Sequence, residues 1–482
     1  MNKSVKKNYI YNLIYQIIVI ILPIIMTPYL ARTLGAKGIG IYGYTNSIIT
    51  YFVLFGTLGM NLYGQREIAF YQNDFNKRSK IFNELLLLRF LLMVVAFIIF
   101  IFVFCINNEY NLYYKILIIE LLANMLDITW YFQGIEDFKK LVFRNIIVKL
   151  FTICSVFLFV KNANHLWIYI LIYSLSNLLG NILLWYNVKN IVKIKLVSFK
   201  AISNHFKLIL TLFIPQIAIQ VYAVLDKTMI GLILKDMAEV GFYEQSQKII
   251  RILLTLITSL GIVLMPRIAN CYYNKKSNEA KKYIDKSLYL VFMIAFPLMF
   301  GIIIVSKNFV PLFFGSGYDN IKKLLPVMSL IIIPVGISNI TGNAILIPKK
   351  MQKQYTNSVI VGAIINLILN YILINLIGTL GAVIATVIAE TLITIFQLYY
   401  CREEINFLDL LNISKNYFIA GLLMFVCCLL LLLFVKIDYV YVIIMQVVLG
   451  AIIYALVLFI LKDETFIEII KIFINRIIWR KK

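Results

Sequence analysis

Long apolar runs separated by short polar stretches extend along the whole chain of 482 residues. A membrane-spanning helix needs about 20 mostly apolar residues. Fourteen runs meet this requirement, and they begin near Tyr9, Ser47, Ile81, Leu112, Leu141, Leu166, Phe206, Ser246, Ser287, Lys322, Thr356, Thr379, Tyr417 and Tyr439. The pattern predicts an all-α integral membrane protein with about 14 transmembrane helices.

Lysine and arginine are sorted between alternate loops. The net charge of +23 would suggest a nucleic-acid partner in a soluble protein. If the N-terminus is inside, however, the cytoplasmic segments hold about three times as many basic residues as the outer loops, as the positive-inside rule requires. We therefore expect both termini in the cytoplasm and no nucleic acid as a partner. The first apolar run lacks a small-residue cleavage pattern, which predicts a retained helix.

Composition supports a membrane location and gives no sign of bound metal. Hydrophobic residues make up 62% of the chain and charged residues only 14%. The six cysteines form no CxxC pair, so neither a disulfide framework nor a metal site is indicated. His165 and His205 stand apart from each other in the sequence, and we interpret each as an ordinary polar contact. No cofactor is predicted.

Two halves of the sequence match when the chain is shifted by 201 residues. Residues 40–42 (Gly-Ile-Tyr) then align with 241–243 (Gly-Phe-Tyr), and Arg66 aligns with Arg267. Six spans separate the two copies, so both enter the membrane in the same direction. This indicates a parallel repeat.

The repeat predicts two parallel six-helix lobes followed by an appended helix pair. We expect an N-terminal lobe over residues 1–187 and a basic cytoplasmic linker over 188–205. The second lobe is predicted over 206–401, and spans 13 and 14 with a basic cytoplasmic tail over 402–482.

The stretch 34–48, LGAKGIGIYGYTNSI, is rich in glycine, as phosphate-binding loops are. It lacks the Lys-Ser/Thr ending of such a loop and does not follow a strand. We therefore interpret it as a tight external turn between spans 1 and 2.

Residues 22–48, LPIIMTPYLARTLGAKGIGIYGYTNSI, and 56–69, GTLGMNLYGQREIA, resemble the start of the Wzx-type polysaccharide repeat-unit flippases. These proteins belong to the multidrug/oligosaccharidyl-lipid/polysaccharide exporter superfamily. The resemblance implies two lobes around a central cavity lined by spans 1, 2, 7 and 8. It also implies a bacterial plasma-membrane protein that moves undecaprenyl-diphosphate-linked oligosaccharides to the outer leaflet. Membrane lipids and the polymer-assembly machinery are the further partners it implies.

Four cations lie where the resemblance places the cavity. Arg251 and Lys248 fall in the outer half of span 8, Lys227 near the outer end of span 7, and Arg32 at the end of span 1. A guanidinium suits a diphosphate because its donors form a planar fork. We expect these four residues to bind the substrate anion. The alternative is that Arg32, Lys227 and Lys248 snorkel to the outer headgroups.

Other embedded charges have coupling or structural interpretations. Asp226 in span 7 and Glu390 in span 12 are candidates for ion coupling. Arg89 in span 3 and Lys149 in span 5 are expected to snorkel inward. They could instead pair with the two acids of span 4, Glu120 and Asp127.

The embedded charges and the loop lengths distinguish between three functions. A lipid-linked oligosaccharide flippase fits the cationic cavity, whereas a cation-coupled drug antiporter would need more carboxylates there. A membrane glycosyltransferase or polymerase would need a sizeable external or cytoplasmic domain, and the longest outer loop, about residues 306–321, is too short for one. We therefore expect a transporter with no catalytic residues.

Overall fold

The structure is a computed structural model that describes residues 3–188, 192–193, 199–434 and 438–479. Over these residues the regular structure is entirely helical. The chain divides into two compact units, Met1–Gly241 and Phe242–Lys482. The predicted linker lies partly outside the described residues, as do the last three basic residues of the tail. The predicted lobe boundaries stay predictions, because compact units and sequence repeats are different divisions of a chain.

Unit 1 is built around the long first helix, which packs against α3, α4, α6 and α8. Its helices are α1 (Lys3–Thr57), α2 (Met60–Phe70), α3 (Phe75–Phe104), α4 (Asn111–Met125), α5 (Thr129–Gly134), α6 (Phe138–Phe159), α7 (Leu166–Trp185) and α8 (Phe199–Leu234). A short 3-10 helix, Ala163–His165, precedes α7.

Unit 2 is centred on α10, which packs against α11, α12, α15 and α16. Its helices are α9 (Met237–Tyr273), which begins in unit 1, α10 (Ser277–Phe314), α11 (Ile321–Ser329), α12 (Ile332–Asn339), α13 (Gln352–Ile377), α14 (Thr379–Tyr400), α15 (Phe407–Phe434), α16 (Tyr439–Ile460) and α17 (Glu464–Trp479). A π-helical segment, Ile340–Leu346, continues α12.

The protein is a multi-pass membrane protein. Among the described residues, 11 helices are long and apolar enough to cross a membrane. Every predicted span start falls within a helix, but the starts of spans 1 and 2 both lie in α1. Span 4 is divided between the short helices α4 and α5. The exact number of 14 crossings therefore stays a prediction, while the all-α membrane fold is confirmed.

The predicted turn between spans 1 and 2 lies at one glycine. α1 is helical throughout except at Gly35, whose φ of 70° and ψ of 172° divide it into two helices. Residues with a side chain rarely adopt this φ. Gly38, Gly40 and Gly43 already lie in the second helix, so the glycine-rich stretch is one break followed by helix.

Gly40 and Gly241, which are equivalent under the 201-residue shift, lie against each other in unit 1. A Cβ atom on Gly40 would collide with the carbonyl oxygen of Met237, and one on Gly241 with that of Ala36. Ala36 and Met237 are themselves related by the same shift. The contact is therefore symmetric, and small residues at such a crossing allow helix backbones to approach closely.

Aromatic side chains fill the core of unit 1 where α2, α3, α5 and α8 meet. The ring of Phe82 stacks on Trp130 at a centroid distance of 5.6 Å, and both residues are fully buried. Ile202 and Ile209 of α8 belong to the same cluster as Leu54 of α1 and Leu58, which follows α1. α8 is thereby fixed to the first helices of the chain.

We expect Gly40→Ala to lower the free energy of unfolding by about 1–3 kcal/mol, because the new methyl group must displace the α9 backbone. The matched control is Gly301→Ala in α10, where an added Cβ meets no atom within 4 Å. Alanine favours a helix over glycine by up to about 1 kcal/mol, so this control should be neutral or stabilising. Thermal unfolding in detergent measures both. Equal melting temperatures for the two variants would contradict the close contact.

Candidate functional site

The predicted residues Asp226 and Lys227 are buried inside the protein. Asp226 is 2% exposed and Lys227 6% exposed. The neighbouring Thr228 Oγ1 lies 2.8 Å from Ser47 Oγ and 3.0 Å from Tyr51 Oη. These bonds hold α8 against the second helix of α1. Lys227 therefore does not snorkel into the headgroups, and its ammonium is held within the protein.

Arg32 is the exposed member of the predicted cations in unit 1. It lies one turn before the break at Gly35, at the end of the first helix of α1. Its exposure fits an arginine that binds either an anion or lipid headgroups.

Lys248 and Arg251 lie on α9 in unit 2 and differ in their surroundings. The Nζ of Lys248 is 3.4 Å from Glu244 Oε1, one turn earlier on the same helix. The Arg251 side chain is exposed. Both cations lie on one helix, and both stay candidates for attracting an anion.

Glu390, the second coupling candidate, is half-buried on α14. Its carbonyl oxygen accepts a hydrogen bond from the Thr394 hydroxyl at 2.8 Å, one turn later on the helix. Glu390 lies in unit 2, whereas Asp226, the other coupling candidate, lies in unit 1.

Arg89 does not snorkel inward, contrary to the sequence-based expectation. Its side chain is 1% exposed, and its Nη2 lies 3.2 Å from Asp127 Oδ2. Its Nε donates to the Asn124 carbonyl at 2.7 Å and its Nη1 to Asn61 Oδ1 at 2.8 Å. The alternative prediction, a pair with Asp127, is confirmed. Burial requires this pairing, because an isolated charge in an apolar interior is very costly.

Glu120, the other acid of span 4, is held by amides and not by Arg89 or Lys149. The Asn177 amide donates to both of its carboxylate oxygens, at 3.2 and 3.1 Å. Asn124 also donates to Oε1 at 3.3 Å. Glu120 thus joins α4 to α7 and has a structural use.

The sequence missed several polar contacts between distant parts of unit 1. Ser47 and Tyr51 meet Thr228, and Tyr63 and Glu84 both meet His205. The contact partners of His205 lie 142 and 121 residues away from it in the sequence. Spacing along the chain gives no signal for such pairs. The expected polar contact of His205 is present, but with two partners that connect three helices.

The sequence model described as "Polysaccharide biosynthesis protein" matches residues 5–272, more than half of the chain. The chain belongs to this family. A second model, MatE, matches residues 211–372. The resemblance to the polysaccharide exporters is thereby confirmed, and the two matches together extend over residues 5–372.

Two relatives with similar sequences are named as transporters. A "Putative O-antigen transporter" of Escherichia coli K12 is 26% identical over 407 residues, covering 83% of this chain and 97% of the relative. A protein of Shigella dysenteriae with the same name is 25% identical over 382 residues and covers 78% and 94% of the two chains.

Two solved structures share the fold of this polysaccharide biosynthesis protein. The lipid II flippase MurJ in an inward closed conformation has a TM-score of 0.77 at 16% identity, covering 95% of this chain and 99% of that one. An inward-facing multidrug resistance MATE family transporter has a TM-score of 0.65 at 14% identity, covering 83% and 95%. At these identities the likeness establishes the fold alone.

Loss of the buried Asp127 carboxylate should lower the free energy of unfolding more than loss of an exposed ion pair. Asp127→Asn leaves the Arg89 charge buried without its counter-charge, which costs about 3–5 kcal/mol. The double variant Arg89→Met/Asp127→Asn should be more stable than Asp127→Asn alone. The control is Lys286→Ala, which breaks an exposed 3.0 Å pair with Glu468 and should cost about 0–1 kcal/mol. Unfolding in detergent measures all three, and equal losses would refute the structural role of the pair.

Proposed function

We propose that this protein is a flippase that moves lipid-linked oligosaccharides from the inner to the outer leaflet for surface polysaccharide synthesis. It is a transporter and not an enzyme. The observation that carries the proposal is the similarity to the E. coli relative named as an O-antigen transporter, which extends over 97% of that protein. The shared fold with a lipid II flippase agrees with it.

The proposed substrate carries its sugar on undecaprenyl diphosphate. Such a lipid needs positive charge from the protein, and Arg251, Lys248, Arg32 and Lys227 are the proposed donors. Arg251 ranks first, because it is exposed and its fork can bind two phosphate oxygens. Lys248 and Lys227 rank lower because an ammonium lacks this planar fork, and Lys227 is also buried.

The proposed location is the bacterial plasma membrane, with both termini in the cytoplasm. The distribution of basic residues between alternate loops supports this orientation. The enzymes that polymerise the exported repeat unit are the proposed protein partners, since they consume the product of the transport step.

A cation-coupled antiporter is the second candidate, and the MatE match over residues 211–372 favours it. Such a transporter would use embedded carboxylates to carry a returning ion, and Asp226 and Glu390 are the candidates for that role. The basic side chains Arg251 and Arg32 argue against a cationic substrate. The two candidates differ in whether Glu390 is needed for transport.

The membrane potential can supply the driving force for a diphosphate. Its two negative charges gain about 4–5 kcal/mol on moving outward through 100 mV, at about 2.3 kcal/mol per charge. This gain is available only if the cations that bind the substrate stay fixed in the protein. We propose that the potential is the main driving force and that ion coupling through Glu390 or Asp226 is secondary.

In a strain that lacks the gene, we expect lipid-linked oligosaccharide to accumulate on the inner leaflet. Arg251→Ala should restore at most about one tenth of wild-type polymer export, because hydrogen bonds to charged groups contribute about 1.5–3 kcal/mol. Arg251→Lys should restore part of the export, since it keeps the charge but loses the fork. The matched control is Arg267→Ala, which removes an exposed arginine about 24 Å further along the same helix. The protein level in the membrane is measured for each variant. Normal export with Arg251→Ala would refute the proposed role, and an absence of accumulation would refute the proposed substrate.

Flipping in vesicles should depend on the potential and only weakly on Glu390. We expect a marked fall in flipping when the potential is collapsed while the pH and sodium gradients are held at zero. Glu390→Gln should retain at least about half of the wild-type rate, because a fixed carboxylate contributes little to a potential-driven step. Unchanged flipping without the potential, or a complete loss with Glu390→Gln, would instead favour a returning counter-ion.

A further inference from the structure

Three ionisable side chains form a hydrogen-bonded chain within unit 1. The His205 Nε2 lies 2.8 Å from Glu84 Oε2, and its Nδ1 lies 2.8 Å from the Tyr63 hydroxyl oxygen. The Glu84 and His205 side chains are 5% and 14% exposed, and Tyr63 is buried. The trio connects α2, α3 and α8, at the end of α8 that the charge distribution predicts to be cytoplasmic.

Both protonation states of His205 keep the two hydrogen bonds of the trio. In the neutral state Nε2–H donates to the Glu84 carboxylate, and Nδ1 accepts from the Tyr63 hydroxyl. When a proton is added at Nδ1, this nitrogen donates to the Tyr63 oxygen, and the hydroxyl hydrogen rotates away. The Nε2–Glu84 bond then joins two opposite charges, and charge-assisted bonds are roughly twice as strong as neutral ones. The site can therefore take up a proton without losing a bond, and it tightens when it does so.

Charged side chains, some of them exposed to solvent, lie beside the trio. On α3, Lys80 Nζ lies 3.9 Å from Glu84 Oε1, and the Lys80 side chain is 72% exposed. On α2, the Arg66 guanidinium stands over the Tyr63 ring at 5.3 Å and pairs with Glu67 at 3.1 Å. α5 packs against α2, the Lys193 backbone bonds to Asn83 and Ser79 of α3, and α1 contributes apolar residues to the core cluster. The trio thus lies at the edge of the core, with an exposed lysine beside its carboxylate.

The trio also joins two parts of the sequence repeat. Tyr63 and Glu84 belong to the first copy, whereas α8 begins the second copy and carries Asp226 and Lys227 about 30 Å further along. All of these residues lie in unit 1. In alternating-access transporters built from repeats, contacts between the repeats at one membrane face form and break in each cycle. A bond that strengthens on protonation at such a contact would make the cycle sensitive to pH.

We propose that Tyr63, His205 and Glu84 form a proton-binding site that clasps the start of α8 to α2 and α3. Proton binding at the clasp is independent of the substrate, whereas its effect on transport rests on the proposed flippase function. The neutral clasp opens more readily than the protonated one. Acidification on the side of the membrane that faces this end of α8 therefore slows the transport cycle.

Proton binding is tested directly by nitrogen NMR of histidine-labelled protein in lipid nanodiscs. The chain has only two histidines, so His165→Gln leaves His205 as the single labelled ring. We expect the neutral ring to carry its proton on Nε2, and the second proton to bind Nδ1 when the sample is acidified. Glu84→Gln should weaken the preference for Nε2. A neutral ring protonated on Nδ1, or a second proton that does not bind Nδ1, would overturn the proposal.

The effect on transport is measured in proteoliposomes with a lipid-linked oligosaccharide and equal pH on both sides, so that no pH gradient drives the reaction. We expect wild-type flipping to fall at least about threefold between about pH 8 and about pH 6. His205→Gln should flip at a rate that does not vary over this range. His165→Gln, which removes the exposed histidine of the 3-10 helix, should keep the wild-type profile. A wild-type profile in His205→Gln would overturn the clasp.

Proton binding by the clasp and its effect on transport are refuted by different results. If no variant and no wild-type protein flips the oligosaccharide, the proposed function is wrong, while the NMR titration still decides whether the proton site exists. If the wild type flips at a rate that is constant over this pH range, the proposed function stands and the effect of the clasp on transport is refuted.

Discussion

A lipid interior offers no hydrogen-bond partner to a polar group, and this constraint governs the whole molecule. Every backbone N–H and C=O within the membrane must be satisfied by the protein itself, which helices achieve within one segment and closed barrels between neighbouring strands. The long helices of both units meet this requirement. Where α1 departs from helical geometry, at Gly35, it does so at one residue and resumes immediately.

The same constraint separates the charged residues into two groups. Those with a structural use include Arg89, which is buried and paired with Asp127, and Glu120, which is half-buried and held by Asn177. Arg251 and Arg32 are exposed residues on helices. An arginine in a membrane span costs insertion free energy. An anionic substrate that binds the arginine would account for this cost.

Sequence reasoning predicted the features that depend on local pattern. The apolar runs identified the helices, the resemblance identified the family, and the 201-residue shift identified Gly40 and Gly241 as equivalent. It failed where the outcome depends on side chains that are distant in the sequence. Arg89 was expected to snorkel because its partner Asp127 is 38 residues away, and hydropathy does not show which charges face each other. The trio around His205 was missed for the same reason.

The symmetric glycine contact has a consequence for the history of the chain. A contact in which residue i of one copy meets residue j of the other, and j meets i, is isologous, the kind found at the interface of a two-fold symmetric homodimer. Here both counterparts lie in one polypeptide, Ala36 and Gly40 facing Met237 and Gly241. Had the two halves once been separate molecules, this contact would have joined two copies of a single ancestral protein. After gene fusion the two copies were free to diverge elsewhere, but a larger side chain at either glycine would still strike the backbone of the other half.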